Sequence, residues 1–340
     1  MRRLAKAFLL VFLLGLSIEV AVRISGHAGP FVTDPAFHAR PGASYWQYRA
    51  DRQFTVYGPT DLRTGPLGER RHGPRGPKTG PLVAVFGDSF TFGQAVADHE
   101  TWPAQLEAAL RPRFPGVRVM NFGVQGHSLR MIVAHAQERL QTIRPALVVL
   151  AFIGDDLDPG REQKHVDRFG YLARGGPDQP IDRTSELLRA IARQSHGLLW
   201  FKHWLMRVVP SSENPEPSAL IATVETREQP VAVLPANLPV LIESLADTPL
   251  ILAELDLAET KKSRWLRREL ERRHPEVSVV YMPPNFSSAT DSVWRVPGDG
   301  HPSGPAHAIY ASTLVPAVSQ ALEKPAAADA LIGTAPGKTP

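Results

Sequence analysis

Short strands that alternate with helices constrain the fold of this chain most. From Leu82 onward, apolar runs rich in Val, Leu and Ile alternate with stretches whose apolar residues recur at helical spacing. The strand candidates are residues 82–86, 117–121, 146–152, 249–255 and 277–282, and the helix candidates are 101–114, 129–143, 261–274 and 305–323. Near-continuous apolar strands separated by helices are typical of a parallel sheet covered on both faces. The pattern predicts an α/β fold over residues 81–323, a doubly wound three-layer domain with about five parallel strands.

Three further segments surround or interrupt this domain. Residues 157–247, between the third and fourth strands, are too long for a simple crossover and include an aromatic-rich helical stretch at 187–209. They predict a helical insertion that either covers the substrate site or packs in the core. Residues 25–80 are rich in Gly, Pro and Arg, which predicts a linker or surface arm without a core. Residues 324–340 predict a disordered tail.

The N-terminus has the layout of an export signal. Three basic residues precede an uncharged, mostly apolar run at 7–18, and apolar character resumes after Glu19. Glu19 and Arg23 are spaced to pair on one helix face. We predict that residues 1–24 are an uncleaved membrane anchor, with a cleaved signal peptide and an amphipathic surface helix as alternatives. In the first two cases the chain from residue 25 onward is exported.

The composition excludes several function classes. The chain has no cysteine, which excludes a disulfide framework, a thiolate metal site and a cysteine nucleophile. The formal net charge is only +4, and the basic residues are spread along the chain rather than clustered with aromatic residues. We therefore predict no nucleic-acid partner.

Polar and glycine residues that suit nucleophilic catalysis follow the predicted strands. Ser89 follows the first strand, Gly126 the second and Asp155 the third, while Asp299 and His301 lie beyond the last. Ligands of doubly wound sheets bind at the carboxyl ends of the strands. Serine catalysis needs a base, an acid that orients it, and donors for the oxyanion. The arrangement predicts that Ser89 attacks, His301 removes its proton, Asp299 orients His301, and the N–H groups of Ser89 and Gly126 bind the oxyanion.

Three motifs in this order resemble the SGNH hydrolase family, the GDSL-type esterases and lipases. The stretch "FGDSFTFG" resembles the family's nucleophile block and assigns the nucleophile to Ser89. The stretch "NFGVQGHS" assigns the oxyanion glycine to Gly126, and "DGHPSGPAH" assigns the acid and base to Asp299 and His301. The likeness covers residues 81–323.

The resemblance implies a serine ester hydrolase that forms an acyl-enzyme and needs no metal or cofactor. Its implied substrate is an acyl ester, and O-acetyl groups on carbohydrate of the cell envelope are the class we expect. The exported layout resembles bacterial members that sit behind an N-terminal anchor, which implies the periplasmic face of the inner membrane. Cleavage of residues 1–24 would instead give a soluble periplasmic or secreted protein.

One residue departs from the family pattern. The family's third block supplies an Asn amide to the oxyanion hole, but this chain reads "FIGDDLD" with Asp155 in its place. A carboxylate repels a developing oxyanion, so Asp155 would donate a hydrogen bond only if burial beside Asp156 kept it protonated.

Other interpretations stay open at this point. The same apparatus can pass an acyl group to a sugar hydroxyl, and Asp155 is compatible with a catalytically weak subunit that binds carbohydrate or assists assembly. Four carboxylates, namely Asp88, Asp155, Asp156 and Asp299, could in principle form a divalent metal site for phosphoester hydrolysis. Asp88 is otherwise expected to shape the nucleophile loop. We expect His127 to be an exposed polar residue or a substrate contact, and His307 to be a surface or capping group.

Overall fold

The computed structural model describes residues 2–25, 36–39, 45–55, 61–73, 79–158, 164–174, 183–198, 200–201, 234–256, 261–282, 293–296 and 300–323. Its helices are α1 (Arg2–Ser25), α2 (Ser89–Phe92), α3 (Trp102–Leu110), α4 (Leu129–Leu140), α5 (Arg183–Gln194), α6 (Asn237–Leu245), α7 (Lys261–Arg273) and α8 (Gly304–Glu323). Its strands are β1 (Phe37–Ala39), β2 (Trp46–Tyr48), β3 (Gln53–Thr55), β4 (Asp61–Arg63), β5 (Leu82–Gly87), β6 (Arg118–Gly123), β7 (Leu147–Phe152), β8 (Lys164–Val166), β9 (Leu172–Arg174), β10 (Leu250–Glu254) and β11 (Ser278–Tyr281).

Five parallel strands form the central sheet in the order β11-β10-β7-β5-β6. Every residue of β7 and β10 is buried, because helices cover both faces of the sheet. The five predicted strands and the doubly wound α/β fold are therefore confirmed.

Two apolar layers hold helices against the two faces of the sheet. One layer includes Trp102 and Leu106 of α3 and Tyr310 of α8. The other layer includes residues of α4, α6 and α7, among them Ile132 and Leu266. The helix starts match their sequence signals, since Thr101 caps α3 by accepting from the Ala104 N–H at 3.4 Å, and Ser128 caps α4 in the same way.

The region between β7 and β10 is only partly helical. β8 and β9 pair as an antiparallel hairpin, which the sequence did not predict because each strand has three residues, too few to show a period. α5 and the helical residues 196–198 and 200–201 cover part of the predicted stretch at 187–209, and the rest of that stretch lies outside the described residues. α6 packs in the core with α4.

The N-terminal arm has a core, contrary to the expectation from its Gly, Pro and Arg content. Buried apolar side chains of the described residues 36–62 form a third cluster against the domain: Ala36, Phe37, Tyr45, Trp46, Tyr48, Phe54 and Leu62, together with Phe92, Val124 and Met131. The expectation was wrong because a few large aromatic residues of the arm bury enough apolar area for a core, although the average composition of the arm is polar.

Helix α1 contacts the region between β7 and β10 through one acidic residue. Glu19 accepts from the Ser195 hydroxyl (2.7 Å), the Gly197 N–H (2.7 Å) and the Arg23 guanidinium (2.7 Å). Burial opposes ionisation, but these hydrogen bonds and one from His196 outweigh it and lower the pKa of Glu19 to about 2. Apart from the Glu19 contacts, α1 has many exposed apolar side chains, of which Ile24 and Leu10 are the most exposed.

Within the described part of the chain, we find no helix with the length and apolar character required to cross a membrane. The prediction of a spanning anchor is therefore not supported.

Candidate active site

Ser89 lies at the carboxyl edge of the sheet, after a strand that has a neighbour on each side. β5 lies between β6 and β7, and α2 begins at Ser89, two residues after β5 ends. The Val124 N–H donates to the Gly87 carbonyl at 2.9 Å, which ties the loop after β6 to the loop that carries Ser89. Loops that are far apart in sequence therefore meet at this edge.

Ser89 and His301 are in hydrogen-bond contact. Ser89 Oγ lies 2.9 Å from His301 Nε2, although the two residues are 212 positions apart. The same hydroxyl lies 3.3 Å from a carboxylate oxygen of Asp88. Because a serine hydroxyl carries one hydrogen, the shorter contact places that hydrogen where an imidazole base can remove it. The structure thus brings the predicted nucleophile and the predicted base together.

The surroundings of His301 fix its approach to Ser89. The Arg295 guanidinium donates to the carbonyl of Gly300 at 2.7 Å, which holds the loop just before His301. The ring of Phe90 packs edge-on against the imidazole, with the ring centroids 5.7 Å apart. Asp299 lies outside the described residues, so its orienting role stays a prediction.

Helix α2 is fixed at its start and along its side. Asp88 Oδ1 accepts from the Phe90 N–H at 2.8 Å, which caps the helix and agrees with the shaping role expected for Asp88. The buried Asn121 donates through Nδ2 to the Thr91 carbonyl at 2.8 Å. Gly123 permits this close packing, because a Cβ there would lie 2.2 Å from a backbone nitrogen of α2.

A buried arginine from the arm holds the end of α2. Arg70 donates through Nη1 to the carbonyls of Phe92, at 2.7 Å, and Gly93, and through Nη2 to the carbonyl of Val96 at 2.7 Å. Its Nε donates to Asp98 at 3.0 Å. Burial lowers the pKa of the Arg70 guanidinium, and the negative charge of Asp98 opposes that shift. Arg70 therefore donates to one carbonyl in the last residue of α2 and to two carbonyls after the helix.

Gly126 has the backbone geometry of a close-approach position. Its φ of 76° lies in the left-handed region that favours glycine. A Cβ there would lie 3.2 Å from Lys164 Nζ and 3.3 Å from Leu172 Cδ2. Across the described ranges, neither the Gly126 N–H nor the Ser89 N–H has a hydrogen-bond acceptor. Both predicted oxyanion donors are thus left unused by the protein itself.

Asp155 lies in the 3₁₀ turn Gly154–Leu157 that follows β7, and its side chain is exposed. Its neighbour Asp156 is buried and accepts from the Ile153 N–H at 2.9 Å, so the two carboxylates have different surroundings. Asp155 is therefore not buried beside Asp156, contrary to the condition set in the sequence analysis. Its place in the oxyanion hole stays a prediction.

A further carboxyl group, Asp256, lies beside this turn. It follows β10 and accepts from the Gly154 N–H at 2.8 Å. Burial raises the pKa of Asp256 well above its usual range, and the negative charges of Glu254, Asp155 and Asp88 add to the effect. No set of three His, Cys, Asp or Glu side chains in the described ranges is arranged to hold a metal ion.

Two histidines expected near the surface are fully buried. His127 Nε2 lies 2.7 Å from the Trp46 carbonyl, which therefore accepts from a protonated Nε2. His307 accepts from the Trp102 N–H at 3.2 Å. Burial lowers the pKa of His307 to about 3, and the positive charge of Arg70 adds to the shift. The expectation of exposure was wrong for both, because neighbouring elements pack over these rings.

Sequence reasoning did not identify three residues that shape this site. Trp46 and Arg70 lie in the segment interpreted as a linker or arm, and nothing in its composition distinguishes them. The sequence did contain a signal for Asp256, because this polar residue directly follows a buried strand that ends at the same sheet edge as the site.

Comparisons with known proteins identify a family that matches the chain. The model of the GDSL-like Lipase/Acylhydrolase family matches residues 85–326. Among solved structures, the chain is similar to TesA (15% identity, TM-score 0.41, 71% of this chain and 99% of that chain covered). It is also similar to the lipase/acylhydrolase from Enterococcus faecalis (13% identity, TM-score 0.39, 71% of this chain and 96% of that chain covered). A third similar structure is a carbohydrate acetylesterase family member from Sinorhizobium meliloti (18% identity, TM-score 0.35, 71% of this chain and 99% of that chain covered). No curated protein matches the chain significantly. Because the family match spans more than half of the chain and includes Ser89, the protein belongs to the GDSL-like lipase/acylhydrolase family of carboxylic ester hydrolases.

Proposed function

We propose that this protein hydrolyses O-acyl esters through an acyl-enzyme formed on Ser89. The observation that carries the proposal is the 2.9 Å contact between Ser89 Oγ and His301 Nε2. That contact gives a weak nucleophile a base in position, which a serine used only as a turn residue does not need.

The proposed reaction has two halves. Ser89 Oγ attacks the ester carbonyl while its proton passes to His301 Nε2, and the oxygen of the tetrahedral intermediate gains the negative charge. Collapse breaks the bond to the alkoxy leaving group, which takes the proton from His301. Water then attacks the acyl-enzyme, and His301 removes its proton and returns it to Ser89 Oγ. Asp299 is proposed to orient His301 throughout.

The oxyanion is proposed to be held by backbone groups. The N–H groups of Ser89 and Gly126 have no acceptor in the described parts of the chain, so both can donate to a ligand oxygen. The proposed third position, occupied by Asp155, adds a negative charge instead of a donor. We therefore expect kcat to be about a hundredfold lower than it would be if an amide completed the oxyanion hole.

A serine-directed experiment tests the proposal. The full-length protein is expected to hydrolyse a short-chain aryl ester and to be labelled by an organophosphate, and Ser89→Ala is expected to abolish both. Ser319→Ala, which alters a buried serine of α8, is the matched control and should retain both activities. Absence of turnover and of labelling in the parent would refute the serine mechanism.

Asp155→Asn tests the proposed third position. The amide can donate where the carboxylate repels, so we expect kcat at neutral pH to rise by about tenfold to a hundredfold. A kcat equal to that of the parent across the pH range would show that Asp155 lies outside the oxyanion hole.

A second candidate function is supported by the exposure of Asp155. An exposed carboxylate at the proposed oxyanion position suits a catalytically weak member that binds an acylated ligand rather than turning it over. For this candidate, the parent would bind acetylated oligosaccharide without releasing acetate, and Asp155→Asn would restore release.

The proposal extends to substrate class and location. We propose O-acetylated envelope carbohydrate as the substrate class, supported by the acylhydrolase family and by the export-like N-terminus. We propose that the chain is exported, supported by the basic residues that precede the apolar run at 7–18. Acetate release from acetylated glycans, and fractionation of cells that express the full chain, test these two points.

A further inference from the structure

Trp46 lies against the loop that carries the predicted oxyanion glycine. It belongs to β2 in the arm, is 3% exposed, and has ring atom Cζ2 3.6 Å from the position that a Cβ of Gly126 would occupy. A residue far from Ser89 in sequence therefore forms part of the wall behind the proposed hole.

The indole of Trp46 makes one directed contact with this loop. Its Nε1 donates to the carbonyl of Gln125 at 3.1 Å. That carbonyl belongs to the same peptide unit as the Gly126 N–H. In a planar trans peptide the C=O and the N–H point in opposite directions, and no described peptide bond is cis. The indole thus fixes the direction in which the Gly126 N–H points, away from Trp46.

The same loop holds Trp46 in return. His127 donates through Nε2 to the Trp46 carbonyl at 2.7 Å, and the two rings meet edge to face with centroids 5.5 Å apart. One residue before Gly126 accepts from Trp46, and one residue after it donates to Trp46. The buried rings of Tyr45 and His135 pack around His127, which limits movement of this reciprocal pair.

We propose that Trp46 is a positioning residue for the oxyanion hole, acting by orienting and polarising the peptide that carries the Gly126 N–H. This inference rests on the proposed function, because it concerns a donor used in ester hydrolysis. A hydrogen bond accepted by a peptide carbonyl also strengthens the donor at the other end of that peptide. Trp46 touches neither the ester nor Ser89 in this role.

Trp46→Phe tests the role, since it keeps an aromatic ring and removes the N–H. We expect kcat to fall about tenfold or more with KM within about threefold, because the donor matters most once the oxyanion forms. Affinity for a phenylboronic acid, whose tetrahedral adduct on Ser89 places an oxygen in the hole, should fall in parallel with kcat.

Trp102→Phe is the matched control. Trp102 is fully buried, and its indole Nε1 has no hydrogen-bond partner among the described residues. The same chemical change there should leave kcat and boronate affinity close to those of the parent. Equal losses in the two variants, or an unchanged kcat in Trp46→Phe, would overturn the positioning role.

NMR spectra separate failure of this inference from failure of the proposed function. In the parent, the Trp46 indole N–H should exchange with solvent far more slowly than that of the exposed Trp200. The Gly126 amide resonance should move in Trp46→Phe and stay in place in Trp102→Phe. A protein without esterase activity but with these shifts would refute the serine mechanism, and the orientation of the Gly126 peptide by Trp46 would still stand. Fast exchange at Trp46, or a stationary Gly126 resonance, would refute the positioning role whether or not the protein is an esterase.

Discussion

Replacing Arg70 by methionine is expected to lower the free energy of unfolding and to loosen helix α2, which begins at Ser89. The change keeps an unbranched side chain of moderate size and removes every donor. The Arg70 side chain is fully buried, so no solvent replaces the hydrogen bonds that it gives to the carbonyls of Phe92, Gly93 and Val96. Asp98 is partly exposed and can be hydrated again after the change.

The magnitude follows from the groups left without partners. The Phe92 carbonyl keeps the 3.5 Å contact from Asn121 Nδ2, and the Gly93 carbonyl keeps the 3.4 Å contact from the Val96 N–H. Among the described residues, only the Val96 carbonyl therefore loses its single donor. A buried acceptor without a donor costs about 1–3 kcal/mol, so one unpaired and two weakened carbonyls set a loss of about 2–4 kcal/mol. The end of α2 would also lose its restraint, and a shift of Ser89 by about 1 Å lowers kcat by up to a hundredfold.

Urea unfolding and steady-state kinetics on the full-length protein check this prediction. Arg63→Met removes an exposed arginine of β4 from the same arm and should change the free energy of unfolding by less than about 0.5 kcal/mol. Arg70→Lys keeps a charge with a smaller donor set and should fall between the parent and Arg70→Met. A loss below about 1 kcal/mol in Arg70→Met, or an equal loss in Arg63→Met, would show that the three carbonyls do not depend on Arg70.

Two further substitutions test Gly126 and the buried Glu107. Gly126→Ala places a side chain at a φ of 76° and should lower kcat about tenfold, whereas Gly73→Ala, at a φ of 91° with open space around it, should leave kcat unchanged. Burial disfavours ionised Glu107, but His72, the Val119 N–H and Arg111 outweigh burial and lower its pKa below the usual 4.5. Its stabilising contribution is therefore present above about pH 4.5 and lost as pH falls through the folded pKa, so Glu107→Gln should reduce stability at about pH 7 and much less at about pH 3. Urea midpoints at both values measure this, and an equal loss at both would contradict the assigned shift.

The sheet was predictable because its strands have strong local signals. β7 and β10 are buried on both faces, and their sequences are apolar throughout except for Glu254 at the end of β10. The contact between Ser89 and His301 was predictable because the parallel topology brings strand ends to one edge, where each candidate residue follows its own strand.

Residues that act through distant backbone contacts were not predictable. Arg70 and Trp46 donate to carbonyls of residues that are 22 or more positions away. Because every residue has a backbone carbonyl, the sequence does not indicate which carbonyl will accept. The hairpin of β8 and β9 was missed for another reason, because pairs of three-residue strands carry too little pattern. Burial of His127 and His307 depends on elements packed over them, which local polarity does not reveal.

The contacts of Arg70 and Trp46 bear on where a shortened chain should begin. The family match begins at residue 85, after both side chains. A chain shortened to that boundary would keep all five strands of the sheet, apart from the first residues of β5, and also Ser89 and His301. It would lose the Arg70 guanidinium at the end of α2 and the Trp46 indole that donates to the Gln125 carbonyl. A shortened version of this chain should therefore start upstream of residue 36, because the arm packs against the domain and its Trp46 and Arg70 bond to the loop after β6 and to the end of α2.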